Sequence, residues 1–224
     1  MSEISHKERN SYLYLLIALV TFFVVNPFIE GIAMQRFVFG ILFTSVLVFA
    51  VYAIIHRPRL TIFMVILVAI DVSSYWAHAI FEVHWALAII KNCATIILFW
   101  VVTISLLIHI LREKRITLST LYGAISIYLL MGLSWGFLYN LIEIANASAF
   151  AFQGMERMTE TIREQSFIYY SFVTLTTLGY GDITPVSEVA KTFSWLEAIV
   201  GQIYVTVLIA HFVGVHVAQS VKNN

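Results

Sequence analysis

The sequence predicts an all-α membrane protein with six membrane-spanning helices and one re-entrant segment between the fifth and the sixth. Three observations carry this reading. Hydrophobic residues make up 60% of the 224 positions and charged residues only 12%. The mean hydropathy of +0.88 is far from that of a soluble domain. A bilayer core takes about 20 apolar residues per helix, and six runs reach that length, at roughly 11–33, 37–56, 60–80, 85–111, 117–145 and 190–218. Finally, the stretch "SFIYYSFVTLTTLGYGD" is too short to span a membrane and too apolar to lie in water.

Several function classes fall away on composition. The formal net charge of +0 offers no field for nucleic acid or another polyanion. The single cysteine, Cys93, excludes an intrachain disulfide and a CxxC site. His78, His84 and Cys93 lack metal-ligand spacing, and no motif such as HExxH supplies the convergent groups an enzyme needs. No cofactor and no soluble protein partner is expected, only membrane lipid and further copies of the chain. The polar start "MSEISHKERN" leads into a long apolar segment without a cleavage site, so the first helix is expected to be a retained anchor.

Short basic breaks orient the spans. If the amino terminus is cytoplasmic, Lys7, Arg9, Arg57, Arg59, Arg112, Lys114, Arg115 and Lys222 lie inside, while Arg36, Arg157, Arg163 and Lys191 lie outside. Inner positions outnumber outer ones two to one among these, which places both termini of a multi-pass cell-membrane protein in the cytoplasm. The segment at about 146–189 is then reached and left from the outer side. Its first part reads as a solvated loop, in which Glu156, Glu160 and Glu164 exceed Arg157 and Arg163 by one negative charge. The next part reads as a short helix from about Ser166 to Thr176, followed by extended backbone from Thr177 to Gly181.

Non-helical backbone at that depth is tolerated only where protein buries it or where it lines a polar path. Gly179 and Gly181 permit positive φ at little steric cost, so successive carbonyls can turn to one side. A ring of such oxygens can replace the water shell of a cation. Thr177 adds a hydroxyl at the inner end, Tyr180 is expected to point off the axis as a brace, and Asp182 supplies negative charge at the outer mouth.

Thr177-Leu178-Gly179-Tyr180-Gly181-Asp182, preceded by Thr174 and Thr176, resembles the T-x-G-Y-G-D signature of potassium channels. The resemblance extends over about 117–218, where "AISIYLLMGLSWGFLYNLIE" looks like an outer pore helix and "SWLEAIVGQIYVTVLIAHFVG" like an inner one. It implies a selectivity filter at Thr177, Leu178, Gly179, Tyr180 and Gly181, with K+ as the permeant ion and the only metal. Leu178 stands where valine is commoner, Tyr169 and Tyr170 where many members carry tryptophan, and Val173 where some carry glutamate. Tyr169, Tyr170, Thr174 and Thr176 are then the expected filter supports. One filter strand per chain implies a homotetramer with a central pore. The chain divides on this reading into a four-helix unit, 1–115, and a pore domain, 116–224.

The four-helix unit occupies the place of a voltage sensor but lacks its arginine repeat. Its fourth span carries Lys91 as its only cation, whereas steep gating takes three or four charges per subunit, each worth about 2.3 kcal/mol per 100 mV. Weak or absent voltage dependence is therefore expected. Asp71 and Lys91 lie within the third and fourth spans and are candidates for an intramembrane ion pair, or for a remnant sensor or ligand site. In the last span, Gly201 and Gly214 are candidate gating hinges or sites of close packing. His211 is a candidate cavity or pH site if it faces the path, and a packing residue if it does not. Glu197 is expected to make a structural hydrogen bond near the short helix.

Overall fold

The computed structural model describes residues 2–29, 32–54, 58–81, 85–113, 115–153 and 160–223. Seven α-helices follow one another: α1 Ser2–Val25, α2 Ile32–Ala53, α3 Pro58–Phe81, α4 Trp85–Arg112, α5 Leu118–Ala145, α6 Glu160–Leu175 and α7 Glu188–Asn223. A two-stranded antiparallel ribbon, β1 Phe150–Phe152 against β2 Ile183–Pro185, interrupts the helical pattern around α6. Three helices are long and apolar enough to cross a membrane, within Ile89–Arg112, Leu118–Ala145 and Glu188–Ser220. The apolar parts of α1, α2 and α3 among the described residues are shorter, at Ser11–Val25, Phe37–Ala53 and Leu60–Trp76.

Local chemistry explains most boundaries. The run expected over 11–33 is broken at a 3₁₀ turn, Asn26–Phe28, whose proline lacks the N–H that a continuing helix would need. At the start of α5, the Thr117 and Thr120 side chains each accept the other residue's backbone N–H, a reciprocal capping box that satisfies two otherwise orphaned donors. The segment expected to be a solvated loop contains regular structure among its described residues. It holds β1, and α6 begins at Glu160 rather than near Ser166.

α5 is the hub of the chain. It packs on α1 and α4 along one side and on α6 and α7 along another, and 67% of its apolar window is buried. Phe43 of α2, Phe99 of α4 and Phe137 of α5 meet as neighbouring rings and join the two halves of the core. Lipid tails are as apolar as leucine, so such contacts gain through close packing rather than escape from water. Gly132 and Gly136, spaced G-x-x-x-G, make that closeness possible between α5 and α6. A Cβ at Gly136 would lie 2.8 Å from the Ile168 backbone, and one at Gly132 would be driven into the Phe172 ring.

Candidate functional site

The TLGYGD segment grows out of the carboxyl end of α6 through a specific cap. The Thr177 N–H donates to the Thr174 carbonyl and the Leu178 N–H to the Val173 carbonyl, both at 2.9 Å, and Thr177 has φ 61°. This is the pairing of a Schellman cap, with a threonine in the left-handed position that glycine usually takes. The Gly179 N–H also reaches the Val173 carbonyl, at 3.4 Å.

These three bonds determine where the oxygens go. In a planar trans peptide the N–H and the preceding C=O point in opposite directions, and no peptide bond among the described residues is cis. Three N–H groups turned toward α6 therefore aim the Thr176, Thr177 and Leu178 carbonyls away from it. Positive φ recurs at every second residue, Thr177 (61°), Gly179 (61°) and Gly181 (81°). That alternation is what brings successive carbonyls to one side of an extended chain, and glycine adopts it without steric penalty. A β-branched residue does so only at a cost of about 1–2 kcal/mol, so Thr177 is held by its cap. Residues 176–180 are all exposed, Tyr180 by 68% and Leu178 by 60%. One such row cannot enclose a cation, but several around an axis can stand in for its hydration shell.

Each expected support residue finds a partner. Tyr169 donates its phenol proton to Asp182 Oδ2 at 2.8 Å, while Asp182 Oδ1 accepts the Ile183 N–H at 3.0 Å. The Asp182 carbonyl accepts the Gln153 N–H at 2.9 Å, tying the segment to the ribbon. Tyr170 shares a 2.7 Å hydrogen bond with Ser194 of α7. Thr176 Oγ1 donates to the Phe172 carbonyl at 2.6 Å, and Thr174 serves through its carbonyl in the cap. Around the outer half of α6, Tyr139, Phe150, Phe167 and Tyr170 form a cluster of edge-to-face rings 4.9–5.5 Å apart.

Glu197 is fully buried behind α6. Tyr139 donates to its Oε2 at 2.5 Å, and Ser171 Oγ lies 2.5 Å from its Oε1 and 2.7 Å from the Gly132 carbonyl. One carboxyl group thus joins α5, α6 and α7. Gly201, one turn further along α7, is pressed against α6, since a Cβ there would be driven into the Leu175 carbonyl oxygen. Gly214 has nothing within 4 Å of the same construction. His211 Nε2 donates to the Ile110 carbonyl of α4 at 3.1 Å, so its ring faces the four-helix unit.

Two expectations about charged residues are corrected. Lys91 is buried, but its ammonium meets Glu164 of α6 at 2.5 Å rather than Asp71. Asp71 Oδ2 accepts the Thr95 hydroxyl at 2.6 Å, one turn along α4 from Lys91. Glu164 is correspondingly 5% exposed and adds no charge to the outer surface. The reason is the early start of α6, which rotates Glu164 inward onto α4. Gln35 of α2 donates to Gln165 beside it at 3.1 Å. Glu164, Gln165 and Ser171 were not legible as partners because the contacts span 73, 130 and 39 residues of chain. The G-x-x-x-G spacing on α5 was the available signal for where α6 would dock. The side chains of Lys7, Arg9, Arg36, Arg57, Arg59, Glu156, Arg157, Glu160 and Lys222 lie outside the described residues.

Two apolar helices flank a short helix that ends in an exposed row of carbonyls, an arrangement that defines a membrane protein built around an ion path. The profile of a protein family described as "Ion channel" matches residues 95–217, more than half of the chain, with all of α5 and α6 and most of α7. The chain belongs to that ion-channel family. No curated protein and no solved structure matches the chain.

Proposed function

We propose that four copies of this chain form a potassium-selective channel that conducts K+ passively across the cell membrane. In this reading the chain crosses six times with both termini cytoplasmic, and residues 116–224 form the pore domain. The observation that carries it is the one-sided row of carbonyls from Thr176 onward, set in the sequence TLGYGD. Four such rows facing an axis give each ion a cage of oxygens close to its lost hydration shell. Thr177 adds its hydroxyl at the inner end, and Asp182 sits at the mouth, where Tyr169 holds it.

The weak or absent voltage dependence expected from the sequence is supported by the fate of Lys91. A lysine buried against Glu164 contributes a neutralised pair, not a free gating charge. A gating hinge at Gly201 is disfavoured by its packing on Leu175, whereas Gly214 has the room to bend. A pH-sensitive block by His211 is disfavoured because the ring bonds to α4.

The test is flux from liposomes loaded with K+ and diluted into Na+, with Gly179→Ala as the control. Alanine at φ 61° is strained by about 1–2 kcal/mol, enough to misplace the carbonyls. K+-driven flux in the native protein, absent in the variant and blocked by barium, is expected. Equal movement of Na+ would remove the selectivity and leave a general cation path.

A further inference from the structure

The contacts between α6 and the amino-terminal helices point to a role for the four-helix unit that its missing arginines do not explain. Three of its helices reach α6 of the same chain. Phe23 of α1 meets the Phe172 ring at 5.1 Å, edge to face. Gln35 of α2 bonds to Gln165, and Lys91 of α4 pairs with Glu164. The last is the strongest, because both groups are more than nine-tenths buried, at 7% and 5% exposure. Removing one partner of such a pair leaves an unpaired charge in a medium that cannot solvate it. Lys91 is itself steered: the Tyr75 ring of α3 lies 5.6 Å from its Nζ. Its backbone carbonyl accepts the same Thr95 hydroxyl that lies against Asp71 of α3.

The position of this grip matters more than its strength. α6 has 16 residues, about 24 Å of stiff rod. Glu164 and Gln165 sit in its first turns, and the carbonyl row leaves its last turn through the Thr177 cap. A sideways or axial shift at Glu164 is therefore carried to the oxygens without passing through α7.

We propose that Lys91 and Glu164 are positioning residues for the ion path, through which the four-helix unit sets the register of α6 and hence the spacing of the carbonyl row. The proposal rests on the potassium-channel reading above. It differs from a purely structural role in what it predicts for channels that do assemble. Loss of a structural contact lowers the yield of tetramers and leaves each surviving one with native selectivity. Loss of a positioning contact changes the K+ to Na+ permeability ratio of the survivors.

The experiment compares reversal potentials under bi-ionic K+/Na+ conditions in planar bilayers. The variants are Lys91→Met, Glu164→Gln, Glu164→Asp and the exchanged pair Lys91→Glu with Glu164→Lys. The native channel tests the underlying reading first, since a native protein that passes K+ and Na+ equally ends that reading whatever the variants do. Given a selective native channel, the single neutral variants are expected to lower the ratio by about tenfold, the equivalent of 1.4 kcal/mol. The exchanged pair is expected to recover most of that loss. Glu164→Asp keeps the charge and only withdraws the carboxylate, so it decides the matter where neutral variants do not assemble, with a smaller fall of about threefold expected. Assembled Glu164→Asp or neutral variants with the native ratio overturn the proposal, as does an exchanged pair that assembles and stays unselective.

Discussion

α5 and α7 are both apolar helices of the part of the chain that matches the ion-channel family, yet the fold treats them oppositely. α5 has 67% of its apolar window buried within the chain, α7 only 11%. Their sequences do not announce this, since both are long and apolar, α5 through leucine and isoleucine and α7 mainly through valine and isoleucine. The difference lies in small residues and their placement. Gly132 and Gly136 let α5 meet α6 backbone to backbone, and Tyr139 and Ser134 complete polar bonds on the same helix. α7 touches its neighbours along one stripe, through Ser194, Glu197, Gly201 and Tyr204. Elsewhere on this helix Ile203, Val207 and Ile209 are 44–57% exposed. A helix with a narrow, well-bonded stripe and a broad free face is built to be completed from outside, by lipid or by other copies.

The sharpest way to break this comparison is a charge on the free face. Ile203→Asp is expected to abolish the proposed tetramer while leaving the monomer folded, as read by mass in detergent and by helicity. A tetramer of native mass would mean that this face meets lipid. A smaller effect separates the two glycines of α7. Gly201→Ala forces the Leu175 carbonyl to move and is expected to lower stability by about 1–3 kcal/mol. Gly214→Ala meets nothing and is expected to be neutral or to gain up to about 1 kcal/mol of helix propensity. Equal shifts in Tm would erase the distinction between the two glycines. If Gly214 is the hinge, its alanine variant slows conduction without lowering Tm.

The smallest effect expected is that of Tyr169→Phe. This phenol is 42% exposed and its bond to Asp182 is partly screened, so the change in stability is expected to stay below about 1 kcal/mol. The open time of single channels is the more sensitive readout, because Asp182 also anchors the ribbon. Unchanged open times would place the work of holding Asp182 on the Gln153 and Ile183 amides alone.

Much of the site was legible before the fold was known, for reasons that can be named. Gly179 and Gly181 are glycines because positive φ is needed there, and that need is written locally. The short apolar run ahead of them, too short to span and too apolar for water, read as a short helix, and α6 is that helix. Thr177 shows the limit of this reasoning. Nothing about a threonine foretells left-handed backbone, which arises here because the end of α6 supplies two carbonyls for the following N–H groups. Lys91 shows a different limit. Its need for a partner was plain, but from the sequence only Asp71 stood out as one. Asp71 was nearer in sequence, while Glu164 looked like part of a solvated loop.

What the sequence determined by itself were the properties set by solvent and by local backbone chemistry. Those are the apolar helices, the break before Leu118, and the glycine-dependent loop that marks the ion path. What only the tertiary structure decided was which buried polar group answers which. Lys91 takes Glu164, Asp71 takes Thr95, Glu197 takes Tyr139 and Ser171, and His211 turns to Ile110. The physical reason is that a buried charge or donor must find a partner within about 3 Å. Which partner comes that close depends on how whole helices rotate and slide against one another, a matter of packing between residues far apart in the chain.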